Sequence, residues 1–203
     1  MAPLTLVLDT GHARCQCALL LSGGETLSIA DDRARGHAEV LIGQIDTLFA
    51  RAGIGYAALD RVAATTGPAS FTGLRVGLAA AKGIGFACKI PVIGVGTLMA
   101  LSLSGAPNKP LTVLIDARRG EAYRQKFSAP GEALTPPEHL PLDAARAQVQ
   151  PGEMVLGLDA PLFVPIESLA RFAATLDPAS HPAEPEYLRG PDAKPQTRKL
   201  ARQ

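Results

Sequence analysis

The stretch that decides the fold runs from Arg61 to Val95 and reads R-V-A-A-T-T-G-P-A-S-F-T-G-L-R-V-G-L-A-A-A-K-G-I-G-F-A-C-K-I-P-V-I-G-V. Its first part, Val62 to Thr66, is short, apolar and β-branched, which predicts a buried strand. Gly67-Pro68 ends this strand, and a helix is predicted from about Gly73 to Ala87. A second strand, Val92 to Val95, follows Pro91. This order predicts a βαβ unit with parallel strands and a right-handed crossover.

The predicted helix contains many small residues. Gly73, Gly77 and Ala81 are spaced four residues apart and therefore share one face of the helix. A glycine inside a helix costs up to about 1 kcal/mol relative to alanine, so we expect something to approach this face closely. Two interpretations stay open: packing against the chain's own sheet, and a close helix contact with another subunit. Either Ser70 or Thr72 is positioned to be the N-cap of this helix.

The chain begins with a predicted β-meander whose first turn is polar. Leu4 to Leu8 predicts a strand, Cys15 to Leu21 predicts its antiparallel neighbour, and Thr26 to Ala30 predicts a third strand. The turn Asp9-Thr10-Gly11 has two interpretations. Asp9 closes an Asx turn with its own carboxylate, or Thr10 and backbone N–H groups cradle a phosphate with Asp9 near a metal ion. Turn chemistry alone favours the Asx turn.

Two further segments complete the first half of the chain. His37 to Ala52 predicts an amphipathic helix, with Gly53 as its C-cap. The apolar arc of this helix is wider than one sheet face buries, which leaves part of it for a partner. The arc consists of Leu41, Ile42, Ile45, Leu48, Phe49 and Ala52.

The second half repeats the opening pattern in a more proline-rich context. Only two of the 17 prolines precede residue 90. Leu111 to Phe127 again gives an apolar strand, an aspartate (Asp116), a glycine turn and a returning strand, which indicates an internal duplication. We therefore predict two domains, residues 1–106 and 107–203, the second of them shorter. Arg118 and Arg119 are either an anion site or a solvated hairpin tip.

Composition limits the function classes. The 203 residues carry a net charge of +1 and are 47% hydrophobic, which is typical of a globular protein without the basic surface that grips nucleic acid unaided. The small basic tail (Lys194, Arg198, Lys199 and Arg202) is interpreted as a solvated terminus. The three cysteines (Cys15, Cys17 and Cys88) do not suggest a disulfide framework, and no secretory signal or membrane span is evident, so we expect a cytoplasmic protein.

Several motifs resemble one known family. G-P-A-S-F-T-G-L-R-V-G-L-A-A-A-K-G, Gly67 to Gly83, is similar to the signature of the TsaB (YeaZ) family, although Ala69 replaces a glycine that is usual there. Four further segments also fit: L-V-L-D-T (Leu6 to Thr10), H-A-E-V-L (His37 to Leu41), I-P-V-I-G-V (Ile90 to Val95) and I-D-A-R-R-G-E-A-Y (Ile115 to Tyr123). Y-L-R-G-P-D-A-K, Tyr187 to Lys194, extends the match nearly to the end of the chain.

This resemblance implies an actin/Hsp70/sugar-kinase-like (ASKHA) α/β fold of two related domains. It also implies a non-catalytic pseudoenzyme subunit of the complex that makes threonylcarbamoyladenosine at position 37 of tRNAs reading ANN codons. The implied partners are the catalytic paralogue TsaD, the ATPase TsaE, and tRNA through the complex. ATP and metal are expected on the partner subunits, and this chain is expected to bind no cofactor or metal of its own and to supply no catalytic residue.

The expected pairing surface combines the two helices of the first domain, and the isolated chain is expected to form a homodimer through the same surface. Its predicted residues are Leu41, Ile42, Ile45, Gly73, Leu74, Val76, Gly77, Ala80 and Ala81. On this interpretation Gly77→Leu abolishes association and leaves the monomer folded. The rival functions are an ATP-dependent phosphotransferase using Asp9 and Asp116, a metalloprotease-like protein, and a scaffold that binds an unrelated partner through the two helices. The scattered histidines lack the spacing of a metal pair.

Overall fold

The computed structural model describes residues 1–157 and 162–188. Its first sheet has five strands in the order β3-β2-β1-β4-β5. The strands are β1 (Thr5–His12), β2 (Arg14–Leu20), β3 (Thr26–Asp32), β4 (Arg61–Thr65) and β5 (Val92–Val95). The first three are antiparallel, and β4 and β5 are parallel to β1. Both the meander and the βαβ unit predicted from the sequence are thereby confirmed.

Helices cover both faces of this sheet. Helices α1 (His37–Ala52) and α2 (Phe71–Cys88) pack on one face, and α5 (Ile166–Thr175) packs on the other. Because side chains alternate along a strand, Leu6 and Leu8 of β1 join the core beneath α1 and α2, and Val7 joins the core on the side of α5. This double burial explains why the central strands are almost continuously apolar.

The second sheet repeats the plan of the first. It consists of β6 (Leu111–Arg118), β7 (Glu121–Ala129), β8 (Glu132–Ala133), β9 (Glu138–Pro141) and β10 (Met154–Leu156). The hairpin β6–β7 is antiparallel and β10 pairs with β6 in parallel, as β4 pairs with β1 in the first sheet. The short helix α3 (Thr97–Ser102) packs against β6 and β7, and α4 (Leu142–Ala147) packs near β7 and β9. The common pattern supports the internal duplication.

The last described part of the chain returns to the first sheet. Helix α5 packs there. Residues 181–188, here called the strap, follow it, and Pro182 pairs with Ile93 of the edge strand β5. The Gly94 N–H donates to the carbonyl of His181 at 2.9 Å, and the Glu186 N–H donates to the carbonyl of Thr66 at 2.7 Å. The division at residues 106 and 107 stays a prediction. The basic tail and Arg189 to Lys194 of the family motif lie outside the described residues.

Local sequence signals correctly predicted where most helices and strands begin and end. Helix α1 spans the predicted residues, and Gly53 ends it with a φ of 65°, the left-handed C-cap expected of glycine. Helix α2 begins at Phe71, because the Ser70 hydroxyl accepts the Gly73 N–H at 3.3 Å. Ser70 is therefore the N-cap, and Thr72 lies within the helix.

The small-residue face of α2 packs inside the protein. Gly73, Gly77 and Ala81 are buried, and the end of β1 lies directly against the first two. A Cβ at Gly73 would overlap the carbonyl oxygen of Thr10, and a Cβ at Gly77 would lie 2.7 Å from the Thr10 hydroxyl oxygen. The expectation that this face is open to another subunit is therefore corrected: the intramolecular interpretation accounts for the glycines. For the same reason, Gly77→Leu is a folding mutation and not an interface probe.

Two other sequence expectations concern the thiols and the membrane. Cys15 and Cys17 are buried in the core without a disulfide, and burial raises the pKa of Cys15 to about 11 and that of Cys17 to about 12. Both thiols therefore stay protonated at neutral pH. Within residues 1–157 and 162–188, the structure contains no helix with the length and apolar character needed to cross a membrane.

Gly73→Ala and Gly83→Ala make a matched pair on α2. We expect Gly73→Ala to lower the free energy of unfolding by about 3 kcal/mol, because the backbone of Thr10 must move. A Cβ at Gly83 meets nothing within 4 Å, so Gly83→Ala should stabilise the protein by up to about 1 kcal/mol. Urea unfolding followed by circular dichroism measures both changes. Equal stability of the two variants would contradict the close approach of α2 to β1.

Candidate functional site

An apolar groove runs between α1 and α2 on the outer side of the molecule. It has a volume of about 540 Å³. Side chains from both helices line it: Ala38, Leu41, Ile42, Phe71, Thr72, Arg75, Val76, Ala79 and Ala80. Ile42 is 50% exposed and Phe71 is 56% exposed, although both are large and apolar. Exposed apolar side chains gathered in a concave surface are typical of a binding site for another protein.

The structure divides the nine predicted interface residues into two groups. Ile42, Val76 and Ala80 line the groove, and Leu41 contributes to its wall although its side chain is 1% exposed. The other five are covered by the chain's own core, one on the buried face of α1 and four on the face of α2 that packs on the sheet: Ile45, Gly73, Leu74, Gly77 and Ala81. These five are therefore not available for direct contact with a partner.

Sequence reasoning missed several groove residues on α2. Phe71, Arg75 and Ala79 are spaced four residues apart, two positions out of phase with the glycines, and so form the opposite, exposed face. The sequence alone did not identify this face, because it follows only once the glycine face is known to pack on the chain's own sheet. Ala38 and Thr72 complete the set of missed residues.

An arginine and two aromatic rings form a cluster at one end of the groove. The Arg75 guanidinium carbon lies 3.7 Å from the centre of the Phe71 ring. The Arg75 Nε–H donates to the Tyr187 hydroxyl at 3.3 Å, and the Phe71 and Tyr187 ring centres are 5.7 Å apart. Tyr187 belongs to the strap that returns along the first sheet, so the strap and α2 together shape this end of the groove.

A polar cleft of about 660 Å³ lies between the two sheets, on the other side of the α2 N-terminus. The first hairpin contributes Gly11 and His12, and the second contributes Asp116 and Arg118. Phe71 and Thr72 line both this cleft and the groove. The start of α2 therefore separates the two concave surfaces.

Asp9 lies in the core and does not line the cleft. It is 2% exposed, and both of its oxygens accept hydrogen bonds from within the chain. Oδ1 accepts from the Thr65 hydroxyl at 2.8 Å and from the Gly11 N–H at 3.3 Å, and Oδ2 accepts from the Gln16 amide at 2.9 Å. The bond from Gly11 is the Asx turn that the sequence allowed. Asp9 joins β1, β2 and β4 in this way.

The other two phosphate-loop candidates are also engaged in internal contacts. The Thr10 hydroxyl donates to the carbonyl of Gly73 at 2.6 Å. The Gly11 carbonyl accepts the Ser70 N–H at 2.8 Å, and a Cβ at Gly11 would lie 2.7 Å from Cβ of Ala69. Ala69, where a glycine is usual in the resembled family, therefore contributes to closing the loop.

The second hairpin repeats the Asx turn at the surface. The Arg118 N–H donates to Asp116 Oδ1 at 2.7 Å, as the Gly11 N–H does to Asp9. Asp116 is exposed on the cleft, whereas Asp9 is buried. Arg118 also lines the cleft, with a φ of 65° that places it in the left-handed region. In the described part of the chain, no three His, Cys, Asp or Glu side chains form a group that could hold a metal ion.

Comparison with known proteins identifies the family. Residues 28–183 match the family model described as TsaD: tRNA N6-adenosine threonylcarbamoyltransferase. The chain is 38% identical to the tRNA threonylcarbamoyladenosine biosynthesis protein TsaB of Haemophilus influenzae, over 61% of this chain and 53% of that protein. The chain belongs to the TsaB (YeaZ) family. Its alignment nevertheless spans only about half the length of the Haemophilus relative.

Two further relatives bear on the fold and on the paralogue. A crystal structure from Pseudomonas aeruginosa, of an uncharacterized protein with similarity to peptidase YeaZ, superposes with a TM-score of 0.79 at 25% identity. The superposition covers 92% of this chain and all of that one, which confirms the predicted ASKHA-like α/β fold. A tRNA N6-adenosine threonylcarbamoyltransferase of Erythrobacter litoralis is 43% identical over 40% of this chain and 23% of its own length.

Asp9→Ala and Asp116→Ala separate a structural role from a chemical one. We expect Asp9→Ala to lower the free energy of unfolding by about 2–4 kcal/mol, because the buried Thr65 hydroxyl loses its acceptor and the Gln16 amide keeps only the Val164 carbonyl. Asp116→Ala removes one hydrogen bond at an exposed site, so we expect it to lower the free energy of unfolding by about 1 kcal/mol or less. Thermal unfolding measures both. Unchanged stability of the Asp9 variant, with loss of activity in an assembled complex, would assign chemistry to Asp9.

Proposed function

We propose that this chain is the non-catalytic subunit of a complex that makes threonylcarbamoyladenosine at position 37 of tRNAs reading ANN codons. It pairs with a TsaD-type catalytic paralogue through the groove between α1 and α2. A TsaE-type ATPase binds the assembled pair, and ATP and metal are held by the partner subunits. Contact with tRNA is made through the complex.

The observation that carries this proposal is the exposed apolar groove on a chain of the TsaB family. Ile42 and Phe71 are half exposed, and covering such side chains releases about 25 cal/mol for each Å² of apolar surface removed from water. The small side chains Ala79 and Ala80 let another helix approach α2 closely. A paralogue that shares part of this sequence has helices related to α1 and α2. A second copy of this chain has the same two helices. The homodimer of the isolated chain is therefore proposed to use the same groove.

The environment of Asp9 supports a non-catalytic role. A phosphotransferase of this fold would need the carboxylate of Asp9 free to act across the cleft on a metal-bound phosphate. Here both carboxylate oxygens accept hydrogen bonds from Thr65, Gln16 and Gly11. Releasing them would leave buried donors without acceptors, which costs about 1–3 kcal/mol for each group.

Arginine substitutions in the groove test the pairing surface. Ile42→Arg and Ala79→Arg place a charge on exposed positions of the groove, so the monomer stays folded and the Kd for the TsaD-type paralogue should rise at least about 100-fold. Thr47→Arg is the matched control, because Thr47 is exposed on α1 and does not line the groove. Calorimetry measures binding, and threonylcarbamoyl transfer to tRNA, with and without this chain, measures function.

The outcomes separate the parts of the proposal. Loss of binding and of transfer with the two groove variants, but not with the control, supports it. Wild-type binding by both groove variants would exclude the groove as the pairing surface. Transfer by the chain without its paralogue, or magnesium–ATP turnover by the isolated chain, would overturn the non-catalytic role.

A further inference from the structure

The groove carries a charge at one end, and this charge constrains what fills it. Of the nine described residues that line the groove, Arg75 is the charged one, and the others are apolar except for Thr72. A guanidinium group has five N–H donors. The Nε–H of Arg75 donates to the Tyr187 hydroxyl, and no acidic side chain within residues 1–157 and 162–188 forms an ion pair with Arg75. Its terminal nitrogens therefore have donors to offer to a partner.

Arg75 is held in place before any partner arrives. Its guanidinium lies 3.7 Å from the centre of the Phe71 ring, and its Nε–H donates to the Tyr187 hydroxyl at 3.3 Å. Tyr187 follows Glu186, whose N–H donates to the carbonyl of Thr66 at 2.7 Å. The strap thus fixes the tyrosine relative to the sheet. A side chain that is already ordered loses less conformational entropy on binding.

Lys82 shows the contrast on the same helix. Its ammonium group lies 2.9 Å from the carboxylate of Glu184, which belongs to the same strap. The strap therefore supplies a carboxylate counter-ion to Lys82 and an aromatic hydroxyl to Arg75. Arg75 is the cation on this side of α2 that is oriented but lacks a carboxylate partner in the described part of the chain.

We propose that Arg75, positioned by Phe71 and Tyr187, selects the partner that binds the groove. The occupant is a helical surface of the TsaD-type paralogue with an apolar centre and a carboxylate at the Arg75 end. Covering the groove removes water from the guanidinium, and a desolvated charge without a counter-ion is strongly destabilising. A carboxylate satisfies it through paired N–H···O bonds, while the Phe71 ring stabilises the opposite face of the guanidinium. A partner that is apolar throughout is therefore rejected. This inference rests on the proposed function and adds a rule of partner choice to it.

Substitutions of Arg75 test this rule by calorimetric titration with the purified paralogue. Arg75→Glu should raise the Kd at least about 30-fold, which is about 2 kcal/mol, because two carboxylates would then face each other. Arg75→Lys should raise it about 5-fold, because an ammonium group cannot form the planar paired bonds or stack as well. Arg51→Glu is the matched control: it makes the same charge change at an exposed position in the last turn of α1, outside the groove, and should alter the Kd less than about 2-fold.

Ionic strength provides a readout that a purely structural role would not change. Raising the salt concentration should weaken the wild-type complex, and it should weaken the Arg75→Gln complex less, because the screened ion pair is absent there. Tyr187→Phe keeps the ring and removes the hydroxyl, and it should raise the Kd about 2–5-fold. Thermal unfolding of each variant confirms that the monomer is intact.

The outcomes distinguish this inference from the proposed function. If Arg75→Glu binds as the wild type does while Ile42→Arg does not, the rule of partner choice is wrong and the pairing surface stands. If both variants bind as the wild type does, the proposed pairing surface fails as well. An equal loss of affinity for the paralogue in Arg75→Glu and Arg51→Glu would indicate a general effect of charge and overturn the inference. If sedimentation shows that Arg75→Glu disrupts only self-association, the groove's occupant is a second copy and the inference as stated is overturned.

Discussion

The contact between α2 and the end of β1 is the constraint on which the rest of the structure depends. The helix approaches so closely that the Thr10 hydroxyl donates to the carbonyl of Gly73 at 2.6 Å, and Gly77 has no side chain to prevent it. Only glycine permits this approach, and its cost in helix propensity is offset by the packing and the hydrogen bond. The orientation of α2 follows from this contact. It directs Phe71, Arg75 and Ala79 outward, beside α1, and so creates the groove.

The same contact separates the two concave surfaces of the molecule. Because α2 begins at the cleft, its first residues line the cleft on one side and the groove on the other. On the cleft side, the first hairpin is closed by Asp9 and by the neighbouring Ala69, whereas the second hairpin presents Asp116 to solvent. The two hairpins thus share one turn geometry in different environments. The first ties strands together, and the second stays at an accessible surface. The strap then links the sheet to the groove through Tyr187.

The extent to which the sequence predicted the structure varied with the range of the interactions involved. Helix α1 and strand β5 have the predicted ends, since Gly53 and Pro91 are local signals that act within a few residues. Of the predicted interface residues, Ile42, Val76 and Ala80 line the groove, whereas Gly73 and Gly77 are buried against β1, and the interface itself stays a prediction. A stripe of small residues shows that something approaches closely, but it does not show whether the neighbour belongs to the same chain. Tyr187 could not be placed, because 112 residues separate it from Arg75 along the chain.

By itself, the sequence determined the order of strands and helices, the duplicated hairpins and the family. These depend on local patterns of apolar residues, turn residues and short motifs, which act over one or two elements. Only the tertiary structure decided that α5 packs on the first sheet, that Asp9 is buried among its hydrogen-bond donors, and which face of α2 meets solvent. The physical reason is that each of these results depends on contacts between distant segments. Their energy depends on how closely the surfaces fit together, and the fit is defined only when all the layers are assembled.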